Sequence, residues 1–188
     1  MSLRDLHIDG SWALFLDRDG VINRRLPGDY VKTPNELDLL PGVAHAISKL
    51  GSIFGKIIVV SNQQGIGKSL MTDADLALVH KKMLHEITLA GGRIDAIFYS
   101  PHLENQGHIM RKPNVGMGLA ARKKFPGIRF KQSIMVGDSQ GDMLFGKRLG
   151  MKTVLVGENP VIARHLADMV DFYFTDLAAF ADEIRAFV

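Results

Sequence analysis

Short apolar runs alternate with longer segments of helical periodicity along the chain. The runs are rich in β-branched and aromatic residues, as is typical of strands that are buried on both faces. We predict strands over residues 13–16, 57–60, 94–99, 133–136, 153–156 and 172–174. Helices are predicted between them, over residues 42–50, 73–89, 115–124, 142–149 and 176–187. This alternation favours an α/β fold with a parallel sheet and helices on both of its faces.

Two irregular segments interrupt the alternation. Residues 24–40 follow the first predicted strand and residues 100–113 follow the third, and both contain proline and glycine. Both segments leave the carboxyl ends of strands, which is the edge where open α/β sheets bind ligands. We therefore expect these two segments to form walls of a substrate pocket.

Composition narrows the class of protein. The chain has 188 residues, of which 46% are hydrophobic and 23% charged, as expected for one globular domain over residues 1–188. The absence of cysteine excludes disulfides and thiolate metal sites. Its 23 basic residues are scattered and the net charge is only +3, so we expect neither a nucleic-acid nor a membrane partner. No secretory pattern opens the chain, and we expect a cytoplasmic protein that is a monomer or a weak homo-oligomer.

Two carboxylates follow the first predicted strand. Asp17 and Asp19 are two residues apart, and on an extended chain such residues point the same way. Their mutual repulsion beside a buried strand calls for a hard cation with oxygen ligands, and Mg²⁺ is the usual one where phosphate is also present. Gly20 permits the sharp turn that follows. A calcium-type loop or a simple polar turn would also explain this motif taken alone.

Polar residues also follow the second predicted strand. A hydroxyl at Ser61, together with backbone N–H groups, is suited to hold phosphate oxygens, although Ser61 alone is equally typical of a turn. Residues 65–69 contain Gly-Lys-Ser but lack the earlier glycine that a phosphate-binding P-loop requires. We therefore exclude nucleotide binding at this segment.

Further charged residues occur at two later points. Arg111 and Lys112 precede Pro113, where Lys112 is suited to neutralise a phosphoryl group and Arg111 to bind a substrate oxygen; a solvated turn is the alternative. Asp138 ends the fourth predicted strand and is a candidate metal ligand. Asp142 either caps the next helix or orients Lys112.

Taken in order, these residues resemble the four motifs of the haloacid dehalogenase-like phosphatases, from about residue 13 to residue 156. A narrower likeness, to the subgroup of D-glycero-D-manno-heptose 1,7-bisphosphate and histidinol-phosphate phosphatases, rests on residues 15–23, 61–65 and 111–113. The resemblance implies a Rossmann-like three-layer α/β/α fold with a central parallel sheet, in which the Asp17 strand is central, and no large cap domain. The motifs read Asp17-x-Asp19-Gly20-Val21, Ser61, Lys112 and Gly137-Asp138-x3-Asp142.

This resemblance also implies a mechanism for hydrolysis of a small phosphorylated metabolite. Mg²⁺ would bind the Asp17 carboxylate, the Asp19 backbone carbonyl and the Asp138 carboxylate, while Ser61 and Lys112 hold the phosphoryl oxygens. Asp17 would attack to give a phospho-aspartate, with Asp19 as general acid and then general base. We expect the rest of the substrate to meet residues 24–30 and four further side chains, Arg18, Asn62, Arg111 and Ser139.

The chain departs from the subgroup at two places. Where members often hold a structural zinc, this chain has Ser100, His102, His108 and Met110, and two histidines without thiolates rarely close a tetrahedral site, so we expect no structural zinc. The loop would then be held by packing of Pro101, Leu103 and Ile109, with both histidines facing solvent. Ser139 stands where the heptose enzymes tend to carry lysine.

Several functions remain open at this point. D-glycero-D-manno-heptose 1,7-bisphosphate, a metabolite of carbohydrate metabolism, is the first substrate candidate, and histidinol phosphate is the alternative. A histidinol pocket needs an anionic group, and Asp29, Glu36 and Glu104 occur in the two irregular segments. A polynucleotide 3′-phosphatase should show a basic groove and stacking aromatic residues, and the sequence indicates no such combination. A catalytically silent phosphate-binding protein is less consistent with a complete set of motifs.

Overall fold

Six parallel strands form a single sheet in the computed structural model, which describes residues 2–186. They are β1 (Ala13–Leu16), β2 (Lys56–Asn62), β3 (Ala96–Ser100), β4 (Ser133–Gly137), β5 (Lys152–Val156) and β6 (Phe172–Phe174). Their order across the sheet is β3-β2-β1-β4-β5-β6, and all five pairings are parallel.

Seven α-helices accompany the strands: α1 (Val43–Gly51), α2 (Gln64–Gly67), α3 (Asp73–Leu89), α4 (Gly116–Lys124), α5 (Gln140–Leu149), α6 (Pro160–His165) and α7 (Leu177–Arg185). Helices α1, α3 and α7 pack on one face of the sheet, and α4 and α5 pack on the other. Alternate residues of β1 serve the two layers: Leu14 and Leu16 point into the first, and Ala13 and Phe15 into the second. The fold is therefore the predicted three-layer α/β/α arrangement.

Most predicted elements occur within a few residues of their expected bounds. The four-residue α2 and the six-residue α6 were not predicted, since helices of one or two turns give too little periodicity to detect. Helix α5 begins two residues earlier than predicted, because Ser139 and Asp142 form a capping box around its first turn. For the last predicted helix, the structure begins α7 after the N-cap Asp176; Phe187, its expected end, lies outside the described residues.

The strand order positions a site. Strand β1 lies in the middle of the sheet, between β2 and β4, so the chain proceeds outward on one side and then crosses to the other. Such a reversal leaves a crevice at the carboxyl ends of the two central strands. Asp17 follows β1 and Asp138 follows β4 at that edge.

The connections between strands carry helices, turns and isolated bridges, but no second sheet within residues 2–186. The expected absence of a large cap domain agrees with this arrangement. No helix in the described part of the chain combines the length and the apolar character that a bilayer span requires.

Candidate active site

A buried lysine joins the carboxylate that follows β1 to one in the first turn of α5. The backbone N–H of Asp17 donates to the Val136 carbonyl at 3.0 Å, which extends the β1–β4 pairing by one residue and fixes where the Asp17 side chain emerges. Lys112 Nζ lies 2.8 Å from Asp17 Oδ1 and 2.6 Å from Asp142 Oδ1. It also donates to the Val60 carbonyl at 2.7 Å. Lys112 comes from the 100–113 segment, so a loop residue, the residue after β1 and a residue of α5 meet at one point.

Asp138 completes a cluster of acidic side chains. One carboxylate oxygen from each of Asp17, Asp138 and Asp142 lies within 4.8 Å of the other two. A Cβ added at Gly20 would come within 2.1 Å of Asp138 Oδ2, so this carboxylate lies directly against the turn after Asp19. Gly20 has φ +94°, which together with this close approach explains why glycine is required there.

The electrostatics of the cluster favour a cation. Burial raises the pKa of the Asp17 carboxyl to about 7, with Asp142 and Asp138 adding to the rise and Lys112 opposing it. Burial and the neighbouring Asp142 raise the pKa of Asp138 to about 6, against the opposing charge of Arg25, whose guanidinium lies 3.6 Å away. Hard oxygen donors that are costly to ionise together fit a divalent cation, which would relieve their repulsion.

Asp19 does not join this cluster through its side chain. Its carboxylate turns toward Arg18, which donates from Nε and Nη2 to Oδ1 and from Nη2 to Oδ2 over 2.9–3.2 Å. Asn23 Nδ2 donates to Oδ1 at 2.9 Å, and Gln63 Nε2 donates to Oδ2 at 2.8 Å. Burial alone would raise the pKa of Asp19, but the charge of Arg18 and these hydrogen bonds lower it. The side chain stays partly accessible and lines the pocket.

The polar residues at the end of β2 have distinct roles. Ser61 is buried, and its hydroxyl oxygen accepts a hydrogen bond from Gln63 Nε2 at 2.8 Å. Asn62 uses both ends of its amide on the backbone of Lys112: Nδ2 donates to the carbonyl and Oδ1 accepts from the N–H, each at 3.0 Å. Asn62 therefore holds the backbone of Lys112 in place, a task that the sequence did not indicate.

A pocket of about 760 Å³ opens over these groups. Both irregular segments contribute to its walls, as predicted, through residues such as Arg25, Tyr30 and Arg111, and Ser139 lines it from the start of α5. Arg18 does not line it, because this side chain is fully buried behind Asp19. We therefore no longer place Arg18 among the residues that contact substrate.

The 100–113 segment is held differently from our expectation. The rings of His102 and His108 stack on each other with centroids 3.4 Å apart and are partly buried, so the prediction that both face solvent was wrong. Ile109 is 55% exposed and does not pack the loop as expected. Asn114 Nδ2 donates to the carbonyls of Gly107 and His108, which ties the segment to the start of the following helix.

One residue of the site escaped sequence reasoning: Gln63 contacts both Asp19 and Ser61. Arg25 lies in the 24–30 range that was expected to meet the substrate, but its contact with Asp138 was not predicted. The alternation that pairs Asp17 with Asp19 also pairs Ser61 with Gln63, and applying it there would have found this glutamine. Arg25 carries no such signal, because its place depends on the path of the 24–40 loop.

Comparisons with known proteins agree with this geometry. A HAD-hydrolase-like family model matches residues 109–179. The chain is 41% identical over 132 residues to D-glycero-alpha-D-manno-heptose-1,7-bisphosphate 7-phosphatase of Mycobacterium bovis, covering 70% of each chain. It is 32% identical over 146 residues to the histidine biosynthesis bifunctional protein HisB of Campylobacter jejuni, covering 77% of this chain and 41% of that protein.

A solved structure extends the likeness to nearly the whole chain. The D,D-heptose 1,7-bisphosphate phosphatase of B. bronchiseptica, complexed with magnesium and phosphate, superposes with a TM-score of 0.86 at 30% identity, over 94% of this chain and 99% of that one. The chain belongs to the haloacid dehalogenase-like hydrolases. Within that family it belongs to the subgroup of heptose-bisphosphate and histidinol-phosphate phosphatases, as the motifs predicted.

Proposed function

We propose that this protein is a Mg²⁺-dependent phosphatase that acts on D-glycero-D-manno-heptose 1,7-bisphosphate, a small phosphorylated sugar, and that its catalytic domain spans residues 1–188. The observation that carries the proposal is the meeting of Asp17, Lys112 and Asp138 at the crevice between β1 and β4. Relatives that bear this name, and a solved relative that holds magnesium and phosphate, support the choice of substrate and metal.

The described residues fit a magnesium site. Asp17 and Asp138 offer carboxylate oxygens, and the turn at Gly20 brings the backbone after Asp19 against Asp138. These are the oxygen donors that Mg²⁺ prefers. When bound, the cation supplies charge neutralisation between an anionic nucleophile and an anionic phosphoryl group.

Asp17 is the proposed nucleophile. One of its oxygens forms a bond to phosphorus while the bond from phosphorus to the leaving sugar oxygen breaks, which leaves a phospho-aspartate and the sugar alkoxide. Oδ1 of Asp17 is engaged by Lys112 Nζ at 2.8 Å and by the Arg18 backbone N–H at 2.8 Å, so Oδ2 is the proposed attacking oxygen. The ammonium then lies beside the charge of the transferring group and stabilises it.

Ser61 and Lys112 are the proposed ligands of the phosphoryl oxygens. The Ser61 oxygen already accepts from Gln63, so its own hydrogen is free to donate toward the phosphoryl group. Asp142 Oδ1 forms an ion pair with Lys112 Nζ at 2.6 Å and so keeps the ammonium charged and in position. Burial would lower the pKa of Lys112, but the charges of Asp142 and Asp17 outweigh it and raise this pKa.

Asp19 is the proposed general acid and base. Asp19 starts the cycle protonated, gives its proton to the leaving oxygen in the first half of the reaction, and regains a proton from the water that attacks phosphorus in the second. The hydrogen bonds that lower the pKa of Asp19 favour its carboxylate form, which is the form that the second half requires. The products are then the sugar monophosphate and inorganic phosphate, with Asp17 and protonated Asp19 regenerated.

The remaining pocket residues bear on the substrate. Arg111 and Ser139 are proposed to contact the sugar and its second phosphate, together with Arg25 from the 24–30 segment. Two of the three acidic residues that a histidinol amine could use are already engaged. Asp29 pairs with Lys32 at 2.6 Å, and Glu36 accepts from the backbone of residues 32 and 33. The third, Glu104, lines the pocket 3.9 Å from Arg111. The two engaged carboxylates favour the bisphosphate, and the scattered basic residues favour an enzyme without a nucleic-acid partner. We propose that it acts in the cytoplasm.

A substrate panel tests the proposal. Purified protein with Mg²⁺ is assayed for phosphate release from both anomers of heptose 1,7-bisphosphate and from histidinol phosphate. We expect a kcat/KM for one heptose anomer at least about a hundredfold above that for histidinol phosphate, since the site would hold a second phosphate rather than an amine. A preference for histidinol phosphate would overturn the substrate assignment and leave the phosphatase chemistry standing.

A further inference from the structure

A fully buried guanidinium lies behind the reacting carboxylates. Arg18 stands between Asp17 and Asp19 in sequence, yet its side chain is 0% exposed and takes no part in the proposed chemistry. Burying a charge is costly unless it is paired and hydrogen-bonded. Two of its nitrogens, Nε and Nη2, are satisfied by Asp19. The role of this arginine therefore depends on what fixes its third nitrogen.

That third nitrogen faces a histidine of α3. Arg18 Nη1 lies 3.4 Å from His80 Nε2, and His80 is the one hydrogen-bond partner of Nη1 among the described residues. A guanidinium only donates hydrogen bonds, so Nε2 must accept, and the imidazole carries its proton on Nδ1. Burial, followed by the charge of Arg18, lowers the pKa of His80 to about 4, so the ring is neutral near neutral pH.

His80 is itself held in place. It projects from α3, lies 8% exposed and meets the ring of Tyr99 edge-on with centroids 6.1 Å apart. The Tyr99 hydroxyl in turn donates to Asp73 Oδ1 at 2.7 Å, near the start of α3. The nitrogen that accepts the hydrogen bond from Arg18 thus belongs to a ring with little freedom to turn.

Loss of the His80 acceptor would favour a different orientation of the Arg18 guanidinium. A buried N–H group left without a partner costs about 1–3 kcal/mol, and rotation of the fork toward another acceptor would relieve that cost. Any such rotation breaks the contacts of Arg18 with both oxygens of Asp19. The orientation of Asp19 therefore depends on His80, although His80 does not line the pocket.

We propose that His80 is a positioning residue for the reaction: its neutral Nε2 holds the Arg18 fork so that the Asp19 carboxylate faces the leaving oxygen. This inference rests on the proposed function, in which Asp19 transfers protons. Arg18 is the link, and His80 is the part of the arrangement that a substitution can change with little effect on charge.

Two substitutions of similar size separate the acceptor from the packing. In His80→Gln an amide oxygen can accept from Arg18, whereas His80→Met fills similar space without a comparable acceptor. His85→Gln and His85→Met, at an exposed position on the same helix, are the matched controls. Rates are measured on a sugar phosphate, whose leaving oxygen needs a proton, and on p-nitrophenyl phosphate, whose leaving group is stable as an anion.

We expect His80→Met to lower kcat on the sugar phosphate about tenfold or more, with KM within about twofold and with a clearly smaller loss on p-nitrophenyl phosphate. His80→Gln should retain kcat within about threefold of the unsubstituted protein. Equal losses in the two His80 variants would overturn the inference. Equal losses on the two substrates in single turnovers, which isolate the first half of the reaction from the water step that both substrates share, would also overturn it. An inactive unsubstituted protein would instead count against the proposed function.

A measurement on the unsubstituted protein keeps the inference testable if His80→Met fails to fold. Nitrogen NMR of protein labelled at histidine reports which ring nitrogen carries the proton. We expect the neutral Nδ1–H form at His80 near neutral pH, with Nε2 unprotonated. A proton on Nε2 would exclude the hydrogen bond from Arg18 and overturn the inference whatever the activity of the protein.

Discussion

At the scale of single residues, the features that suit Asp17 to its chemistry also work against folding. Its carboxylate is buried beside Asp138 and Asp142, and one ammonium, that of Lys112, is shared between Asp17 and Asp142. Burial and like charge both disfavour its ionised form. A residue retained at such a cost points to function rather than to stability.

Replacing Asp17 with asparagine tests this view. The amide keeps the shape of the side chain but is a poor nucleophile, so we expect kcat to fall by about 10⁴ or more while the fold is retained. In protein freed of divalent cations, the melting temperature should equal or exceed that of the unsubstituted chain, because one buried negative charge is gone.

Steady-state rates and thermal melts of both proteins, with and without Mg²⁺, give the answer. Appreciable turnover in Asp17→Asn would exclude the covalent route. A sharply lower melting temperature would instead indicate that Asp17 stabilises the fold, chiefly through Lys112.

His80 carries a pH dependence of stability with a definite sign. Its pKa falls from an ordinary 6.5 to about 4 on folding, chiefly through burial, so the unfolded chain binds the proton more readily. The neutral ring makes its full contribution to the free energy of unfolding above pH 6.5, the pKa of His80 in the unfolded chain. That contribution is lost as the pH falls from there toward about 4, the pKa of His80 in the folded chain. Near pH 5 the expected loss is about 2 kcal/mol.

Urea unfolding of the unsubstituted protein and of His80→Gln near neutral pH and near pH 5 measures this loss. The difference in unfolding free energy between the two proteins should shrink by about 2 kcal/mol at the lower pH, since glutamine does not titrate. A difference that stays constant with pH would show that His80 is not buried in the neutral form.

Sequence reasoning found the residues of the site whose place depends on strand ends. Asp17, Lys112 and Asp138 occur at chain positions that the fold brings together, and the order of the motifs identified them. Sequence reasoning also assigned substrate contacts to Arg18 and Asn62. In the structure Arg18 donates to the Asp19 carboxylate, and Asn62 donates to the Lys112 backbone carbonyl. Whether a polar side chain turns to the pocket or to its neighbours depends on tertiary contacts that spacing does not encode.

At the scale of elements, strand β2 positions the loop that carries Lys112. The amide of Asn62, the last residue of β2, forms two hydrogen bonds with the Lys112 backbone in the manner of a paired strand. No regular element of the structure contains Lys112 itself. These two hydrogen bonds thereby fix the loop residue Lys112 to the end of a rigid sheet strand.

Asn62→Ala should therefore affect activity more than stability. Loss of two partly buried hydrogen bonds costs about 1–2 kcal/mol of unfolding free energy. We expect kcat/KM to fall about tenfold or more, because Lys112 loses its fixed place beside Asp17. Asn105→Ala, at an exposed position of the same loop, is the control and should change neither quantity measurably.

Kinetics and urea unfolding of the two asparagine variants distinguish this role from direct substrate contact. If Asn62→Ala raised KM alone and left the unfolding free energy unchanged, the residue would act on the substrate rather than on Lys112.

Regular elements were easier to predict than the loops between them. The strands of the sheet are short apolar runs, and the long amphipathic helices repeat a clear period, so both are encoded locally. The 100–113 segment is not: its stacked histidines and the contacts of Asn114 depend on residues brought together by the turn. The misjudged exposure of Ile109 has the same cause.

At the scale of the whole molecule, the sheet brings together residues that are far apart in sequence. Asp17 and Asp138 directly follow adjacent central strands, although 120 residues separate them along the chain. The α/β alternation predicted a parallel sheet, but only the resemblance to a family supplied the central position of β1. A local pattern does not fix strand order, because every parallel order satisfies the same alternation.

A cation bound between those two strands should stabilise the entire fold. It would bind the folded chain alone, since the unfolded chain does not bring Asp17 and Asp138 together. At a free Mg²⁺ concentration about a hundred times the dissociation constant, the gain is about 2.7 kcal/mol. For a chain of this length that corresponds to a rise in melting temperature of about 5–10 °C.

Asp138→Asn should abolish most of that rise, because it removes one of the two carboxylates that the proposed site contributes. Asp182→Asn, on α7 and paired with Lys49, should retain the full rise and serves as the control. Thermal melts across a Mg²⁺ titration give the result without any assay of activity. If Mg²⁺ raised the melting temperatures of all three proteins equally, the cation would be bound elsewhere. The convergence of the residues that follow β1 and β4 would then serve another purpose.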